Sequence, residues 1–179
     1  QRGESRVIEN RYIPIFKQGG IDLVVSSLFV SDEYLPEMAL RRALDYISLF
    51  YKEMEESPGL FSLCRNVEEI KKAKSAGMVA VLLSFEGAEP LGNDINLLRI
   101  FYELGVRGLG ITWSRRNYAA DGCHFEAKEE GQKGGLTNFG VQLLREAEKL
   151  GMYIDVSHLN DEGLKDVLRF YEKPVIASH

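Results

Sequence analysis

Val79-Ala80-Val81-Leu82-Leu83-Ser84-Phe85-Glu86-Gly87 is a short apolar run that ends on a carboxylate and a glycine. It reads as a buried strand carrying a metal-type side chain at its carboxyl end. Met152-Tyr153-Ile154-Asp155-Val156-Ser157-His158 and Val175-Ile176-Ala177-Ser178-His179 repeat the device, each running through apolar residues to an imidazole. The carboxyl ends of parallel strands are where α/β enzymes gather their reactive groups.

Working outward, Gly19-Gly20 leads into Ile21-Asp22-Leu23-Val24-Val25-Ser26-Ser27-Leu28-Phe29-Val30, which reads as a further buried strand. Arg107–Trp113 reads as another. Between the strands lie helical patterns. Ala39, Ala43, Tyr46, Ile47, Phe50 and Met54 recur at helical spacing until Pro58-Gly59 closes the segment. Asn66 with Glu69 three residues on opens a helix that stops at Gly77. A helix near Asp94–Leu104 ends at Gly105, Thr137 caps one that ends at Gly151, and Asn160 with Asp161 and Glu162 opens the last. Ser114–Gly135 is a long loop rich in glycine and charge.

Five strands with helices between them predict an α/β fold with a parallel sheet and right-handed crossovers. A doubly wound sheet would place a glycine-rich phosphate turn after an early strand. Here Val30 is followed by Ser31-Asp32-Glu33, which repels phosphate. Functional residues at several strand ends favour part of a TIM-type (β/α)8 barrel, taken as one incomplete domain over residues 1–179.

Composition bounds the function. With 179 residues, 45% apolar and 27% charged, the chain has the makeup of a soluble globular domain. A net charge of −5 argues against a nucleic-acid or anionic-membrane partner. Two cysteines, Cys64 and Cys123, form no disulfide framework and suit a reducing compartment, so a cytoplasmic location is expected. Cys123 reads as a small buried thiol. No apolar run approaches the roughly 18 residues that span a bilayer. The chain opens at Gln1 without an initiator Met, so its true amino terminus is expected upstream, with any targeting signal.

Glu86, His158 and His179 together form a ligand set for a divalent transition metal. Three protein ligands leave a position for water, the arrangement of catalytic rather than structural zinc. Coordination lowers the pKa of water from about 15.7 to roughly 7, giving a hydroxide nucleophile at neutral pH. Taken singly, each of these residues also reads as a hydrogen-bonded structural group. His124 reads as solvated. Asp121 fits either a turn-forming Asp-Gly or a carboxylate that orients a ligand imidazole from behind. Asp155 fits either a positioning role inside the barrel or a plain buried carboxylate.

Ser84-Phe85-Glu86-Gly87, Gly105–Trp113, Gly135-Leu136-Thr137-Asn138-Phe139-Gly140, Ile154–His158 and Pro174–His179 occur in the order of one family. Together they resemble the membrane (renal) dipeptidase family of zinc-dependent amidohydrolase-type barrels, in its bacterial branch. The likeness runs from about Gly19 to the end. It implies a binuclear zinc centre that hydrolyses dipeptides, often with a D-residue at the carboxyl-terminal position, by a bridging hydroxide. By motif, Glu86 matches the bridging carboxylate that positions the hydroxide, and His158 and His179 match the imidazoles on the second zinc. On that likeness the strands correspond to roughly the second to sixth of eight.

The chain departs from the family pattern in three places. The His-x-Asp pair that holds the first zinc is absent from these residues, so ligands for only one of two expected ions are fully present. The family's downstream Arg and Asp would lie beyond His179. Where many members carry a substrate-contacting His, this chain reads Trp113-Ser114-Arg115, and Arg115 is a candidate for a substrate carboxylate or oxyanion, or else a solvated loop residue. The stretch alone is expected to be inactive and not to fold independently, because a barrel abolishes its edges only on closing. Two alternatives remain beside the dipeptidase reading. One is a related barrel hydrolase acting on another small amide, ester or lactone, and the other is a non-catalytic metal-binding homologue. The expected partner is a small peptide, with a homodimer left open.

Overall fold

The computed structural model describes residues 4–124 and 134–179. Six strands, β1 (Leu23–Leu28), β2 (Phe61–Leu63), β3 (Val79–Glu86), β4 (Val106–Gly110), β5 (Tyr153–Asp155) and β6 (Val175–Ile176), form one sheet in which every strand pair is parallel. The helices are α1 (Ile13–Gln18), α2 (Ala39–Glu56), α3 (Val67–Ser75), α4 (Asn96–Glu103), α5 (Asn138–Leu150) and α6 (Asp161–Phe170). The main path runs β1-β3-β4-β5-β6, each strand beside its successor and joined through a helix. That is the winding of a (β/α) barrel.

The three predicted helix caps form. Asn66 accepts from the Glu69 amide at 2.8 Å, Thr137 from Gly140 at 3.1 Å and Asn160 from Gly163 at 2.7 Å. Glu69 reaches back to the Arg65 amide at 2.7 Å, so two otherwise orphaned donors at this helix start are satisfied. The opening segment, left undivided by the sequence, is helical from Ile8 to Gln18. It is tied to α2 by the Glu53 carboxylate, which accepts from the amides of Val7 at 3.0 Å and Ile8 at 2.8 Å. No helix among the described residues is long and apolar enough to cross a membrane. Residues 125–133 of the predicted glycine-rich loop lie outside the described residues.

Strand β2 was not anticipated. It shares one edge of β3 with β4: Val79 donates to the Leu60 carbonyl at 3.0 Å and Cys64 donates to Val81 at 2.8 Å, while β4 pairs further along. With α3 it forms an excursion at the amino-terminal end of β3, where Cys64 and Ala73 bury Ala80.

The two faces of the sheet differ. On the outer face Val81, Leu83, Phe85, Leu109 and Ile154 are buried in one core with Ile47 of α2, Leu98 and Phe101 of α4, Leu144 of α5 and Val167 of α6. On the inner face the register lines up Ser27, Ser84, Gly108 and Tyr153 in one row and Glu86, Gly110, Asp155 and Ile176 in the next. Gly108 is bare for a reason, since a Cβ there would run into the Tyr153 ring and the Ser84 hydroxyl. Burial raises the Tyr153 phenol above its ordinary pKa despite its hydrogen bond with Ser84. The expectation that β1 is buried throughout is corrected on this face, where Leu23 is 40% and Val25 47% exposed.

Candidate metal centre

Glu86 is the last residue of β3 and points from the inner face. Gly87 follows it at φ +99°, in the left-handed region, and a Cβ there would collide with the Glu89 carboxylate. Glycine therefore lets the chain turn sharply under the carboxylate. His158 lies three residues beyond β5 and is itself left-handed, at φ +67°. Its carbonyl holds the turn, accepting from the Cys123 amide at 2.8 Å and the Thr112 hydroxyl at 3.2 Å. His179 lies three residues beyond β6.

The three side chains converge. Nε2 of His158 is 3.5 Å from Glu86 Oε1, and Nε2 of His179 is 3.6 Å from the same oxygen. The imidazole rings lie 4.5 Å apart at 59°. One donor atom from each residue lies within 4.8 Å of the others, the one such cluster among the described residues. Both carboxylate separations are too long for good hydrogen bonds. A tetrahedral zinc with bonds of roughly 2.0–2.2 Å sets its donors roughly 3.3–3.6 Å apart, so these separations suit an ion between them. Nε2 of His158 is also buried without a hydrogen-bond partner, an orphaned donor or acceptor that a cation would satisfy. The residues fit a metal.

Behind the imidazoles stands Asp155. Its carboxylate accepts from the Ser157 amide at 2.9 Å, the Ser178 amide at 3.3 Å and the Ser178 hydroxyl. Burial disfavours its charge, but the hydrogen bonds from Ser178 and Ser157 outweigh burial and hold its pKa below the usual value. Ser178 Oγ lies 2.9 Å from His179 Nδ1, and the His179 amide donates to Ser157 Oγ at 3.1 Å. On the other arm, His158 Nδ1 is 3.5 Å from Ser114 Oγ, and its ring tilts against Trp113 at 6.3 Å. A cavity of about 340 Å³ opens over this floor, lined among others by Ser84, Glu86, Thr112, Asp155, His158 and His179.

Arg115 does not line that cavity. Its guanidinium is paired with Asp32, lies 3.2 Å from Glu89 and donates to the Val30 carbonyl at 2.9 Å. It ties together the loops that follow β1, β3 and β4. Burial pushes the Glu89 carboxyl above its ordinary pKa in spite of this cation. Asp121 is buried, and its carboxylate accepts from Arg116 and from the Gly134 amide at 2.6 Å, not from an imidazole. Burial works against its charge, but the Arg116 guanidinium wins and the pKa is lowered. Its segment braces the His158 turn through backbone instead, by the Gly122–Leu159 bridge and the Cys123–His158 hydrogen bond. His124 is exposed. Cys123 is exposed too, correcting the expectation of a buried thiol, because the chain reaches the surface just past the buried Gly122.

Sequence reading missed Ser178, Ser157, Thr112 and Ser114. A signal for two of them exists, since each predicted histidine is preceded by a serine, Ser157-His158 and Ser178-His179.

Comparison with known proteins finds relatives over most of the chain. A dipeptidase of Claviceps purpurea (strain 20.1), tcpJ, is 30% identical over 141 residues, which is 79% of this chain and 32% of the relative. The solved structure of dipeptidase AC, a metallo peptidase of family M19, superposes with a TM-score of 0.86 at 27% identity, covering 97% of this chain and 56% of that one. A metallo peptidase from Rhodobacter sphaeroides, liganded with a phosphinate mimic of the dipeptide L-Ala-D-Ala, gives 0.84 at 27% identity over 93% of this chain and 55% of its own. The chain spans 43%, 32% and 36% of the lengths of three curated relatives it matches. The profile of the membrane dipeptidase family (peptidase family M19) matches residues 10–179, so the likeness takes in part of the opening helical segment as well. The chain therefore belongs to the membrane dipeptidase family, peptidase family M19.

Proposed function

We propose that the protein hydrolyses dipeptides, and that zinc held by Glu86, His158 and His179 serves the reaction. The observation that carries the reading is the buried, unpartnered Nε2 of His158, which faces the same carboxylate oxygen as His179 Nε2. Metal use is a property of the family to which the chain belongs. The relatives named as dipeptidases support a dipeptide as substrate, and the Rhodobacter protein with its L-Ala-D-Ala mimic supports a carboxyl-terminal D-residue.

When bound, zinc supplies a Lewis acid that brings the pKa of water to roughly 7 and polarises a carbonyl. The chain's own residues do the rest. Glu86, with one carboxylate oxygen facing both imidazoles, would hold the ion together with His158 and His179, in the bridging role that the family resemblance implies for it. Asp155 and its serines hold the two histidine turns in register. The cavity over Glu86, His158 and His179 opens on the same side as the three donor atoms, so a substrate entering it would meet the metal-holding residues. Arg115, committed to Asp32 and Glu89, serves as a loop clamp in this reading rather than as a substrate contact. We take the described sheet as part of one barrel domain. The free thiols Cys64 and Cys123 fit a reducing compartment, which supports a cytoplasmic location in this reading.

The test is metal analysis of the intact protein with hydrolysis of L,L- and L,D-dipeptides beside acylated amino acids and lactones. Bound zinc, and dipeptide turnover lost to a chelator and restored by zinc, are the expected results. Metal-free protein whose dipeptide turnover ignores chelators overturns the reading, and turnover confined to esters or lactones replaces it with another barrel hydrolase.

A further inference from the structure

The two imidazoles of the centre are not supported alike. The His158 ring has a hydroxyl at 3.5 Å from Nδ1, whereas His179 Nδ1 has Ser178 Oγ at 2.9 Å. Ser178 in turn gives its hydroxyl hydrogen to Asp155 Oδ2. A serine hydroxyl owns one hydrogen, and a carboxylate can only accept. With that hydrogen committed to Asp155, Ser178 Oγ presents only lone pairs to the ring. In the neutral ring Nδ1 of His179 must then carry the imidazole hydrogen, and the free lone pair falls on Nε2. That atom is the one 3.6 Å from Glu86 Oε1.

The same carboxylate also sets where the two rings stand. Asp155 Oδ1 accepts from the Ser157 and Ser178 amides, one on each histidine turn, and Ser157 Oγ closes the loop by accepting from the His179 amide at 3.1 Å. We propose that Asp155, acting through Ser178, fixes His179 as its Nδ1–H tautomer and so presents Nε2 to the metal before any ion arrives. Asp155 and Ser178 are positioning residues. The proposal rests on the reading that His179 holds metal. Its tautomer clause, however, is a property of the metal-free protein. Metal-ligating histidines whose other nitrogen loses its partner typically drop about 10–100-fold in affinity.

The experiment uses the intact protein and two readouts. The first is the ¹⁵N tautomer state of His179 by NMR in metal-free protein, and the second is zinc affinity by competition with a chromogenic chelator. In the parent, His179 is expected as the Nδ1–H form. Ser178→Ala touches only the hydroxyl and is expected to mix the tautomers and weaken zinc by about 10–100-fold. Ser178→Thr, which keeps a hydroxyl, is expected to restore both. Asp155→Asn is expected to mix the tautomers too, and a melting curve shows whether it still folds, since it also loosens both turns. An Nε2–H form in the parent, or an unchanged tautomer with unchanged zinc affinity in Ser178→Ala, overturns the proposal. Weakened zinc with the tautomer intact overturns it as well, since a merely structural role would do that. Should the parent bind no zinc, the proposed function fails, while the tautomer readout still decides the relay.

Discussion

Val81, Leu83 and Phe85 alternate along β3 with Leu82, Ser84 and Glu86, yet the two sets occupy different surroundings. The first set is 7%, 1% and 2% exposed and packs under the helices, where Phe85 meets Phe101 edge-on at 4.9 Å. In the second, Leu82 packs against the Cys64 cluster at the base, while Ser84 and Glu86 face a cavity and carry a hydroxyl and a carboxylate in neighbouring rows. One strand thus divides its labour by parity. The outer set supplies the burial that holds the sheet, and the inner set is left free to carry charge.

Phe85→Ala should be the most damaging change to stability. It removes a ring from a filled core and is expected to cost about 3–5 kcal/mol in chemical denaturation. A loss no larger than that of ordinary surface changes would break the division by face. Gly108→Ala comes next. The added methyl must displace the Tyr153 ring and break its bond to Ser84, at about 1–3 kcal/mol. Near-parent stability would show that the inner floor is looser than its packing implies. Glu86→Gln should matter least to the fold, within about 0.5 kcal/mol in metal-free protein. Zinc retention should collapse in the same variant, and a Glu86→Gln protein that keeps its zinc would separate the carboxylate from the centre.

Much of this was legible from the residues. The apolar runs ending on Glu86, His158 and His179 declared the strands, and Asn66, Thr137 and Asn160 declared three helix starts. Strand ends read too long, because the last ladder hydrogen bond on this side runs from the Val156 amide to the Ile176 carbonyl, and His158 and His179 lie beyond it. Phe61-Ser62-Leu63 left no mark, since three residues cannot show a period. The pairing of Arg115 with Asp32 spans 83 positions and exists only once the barrel turns bring the loops together. Ser178 was hidden for the opposite reason. It sits beside a histidine, but only the fold supplies the Asp155 that gives its hydroxyl a direction.

The excursion that closes the lower end of β3 carries its own reporter. Cys64 is fully enclosed there, and burial raises its thiol above the ordinary range, whereas Cys123 stands in water. An alkylating reagent reaches the second sulfur at once and the first only when β2 and α3 lift away. The rate at which the first sulfur is labelled, with the second as the reference for free access, therefore clocks how often this molecule breathes at its base.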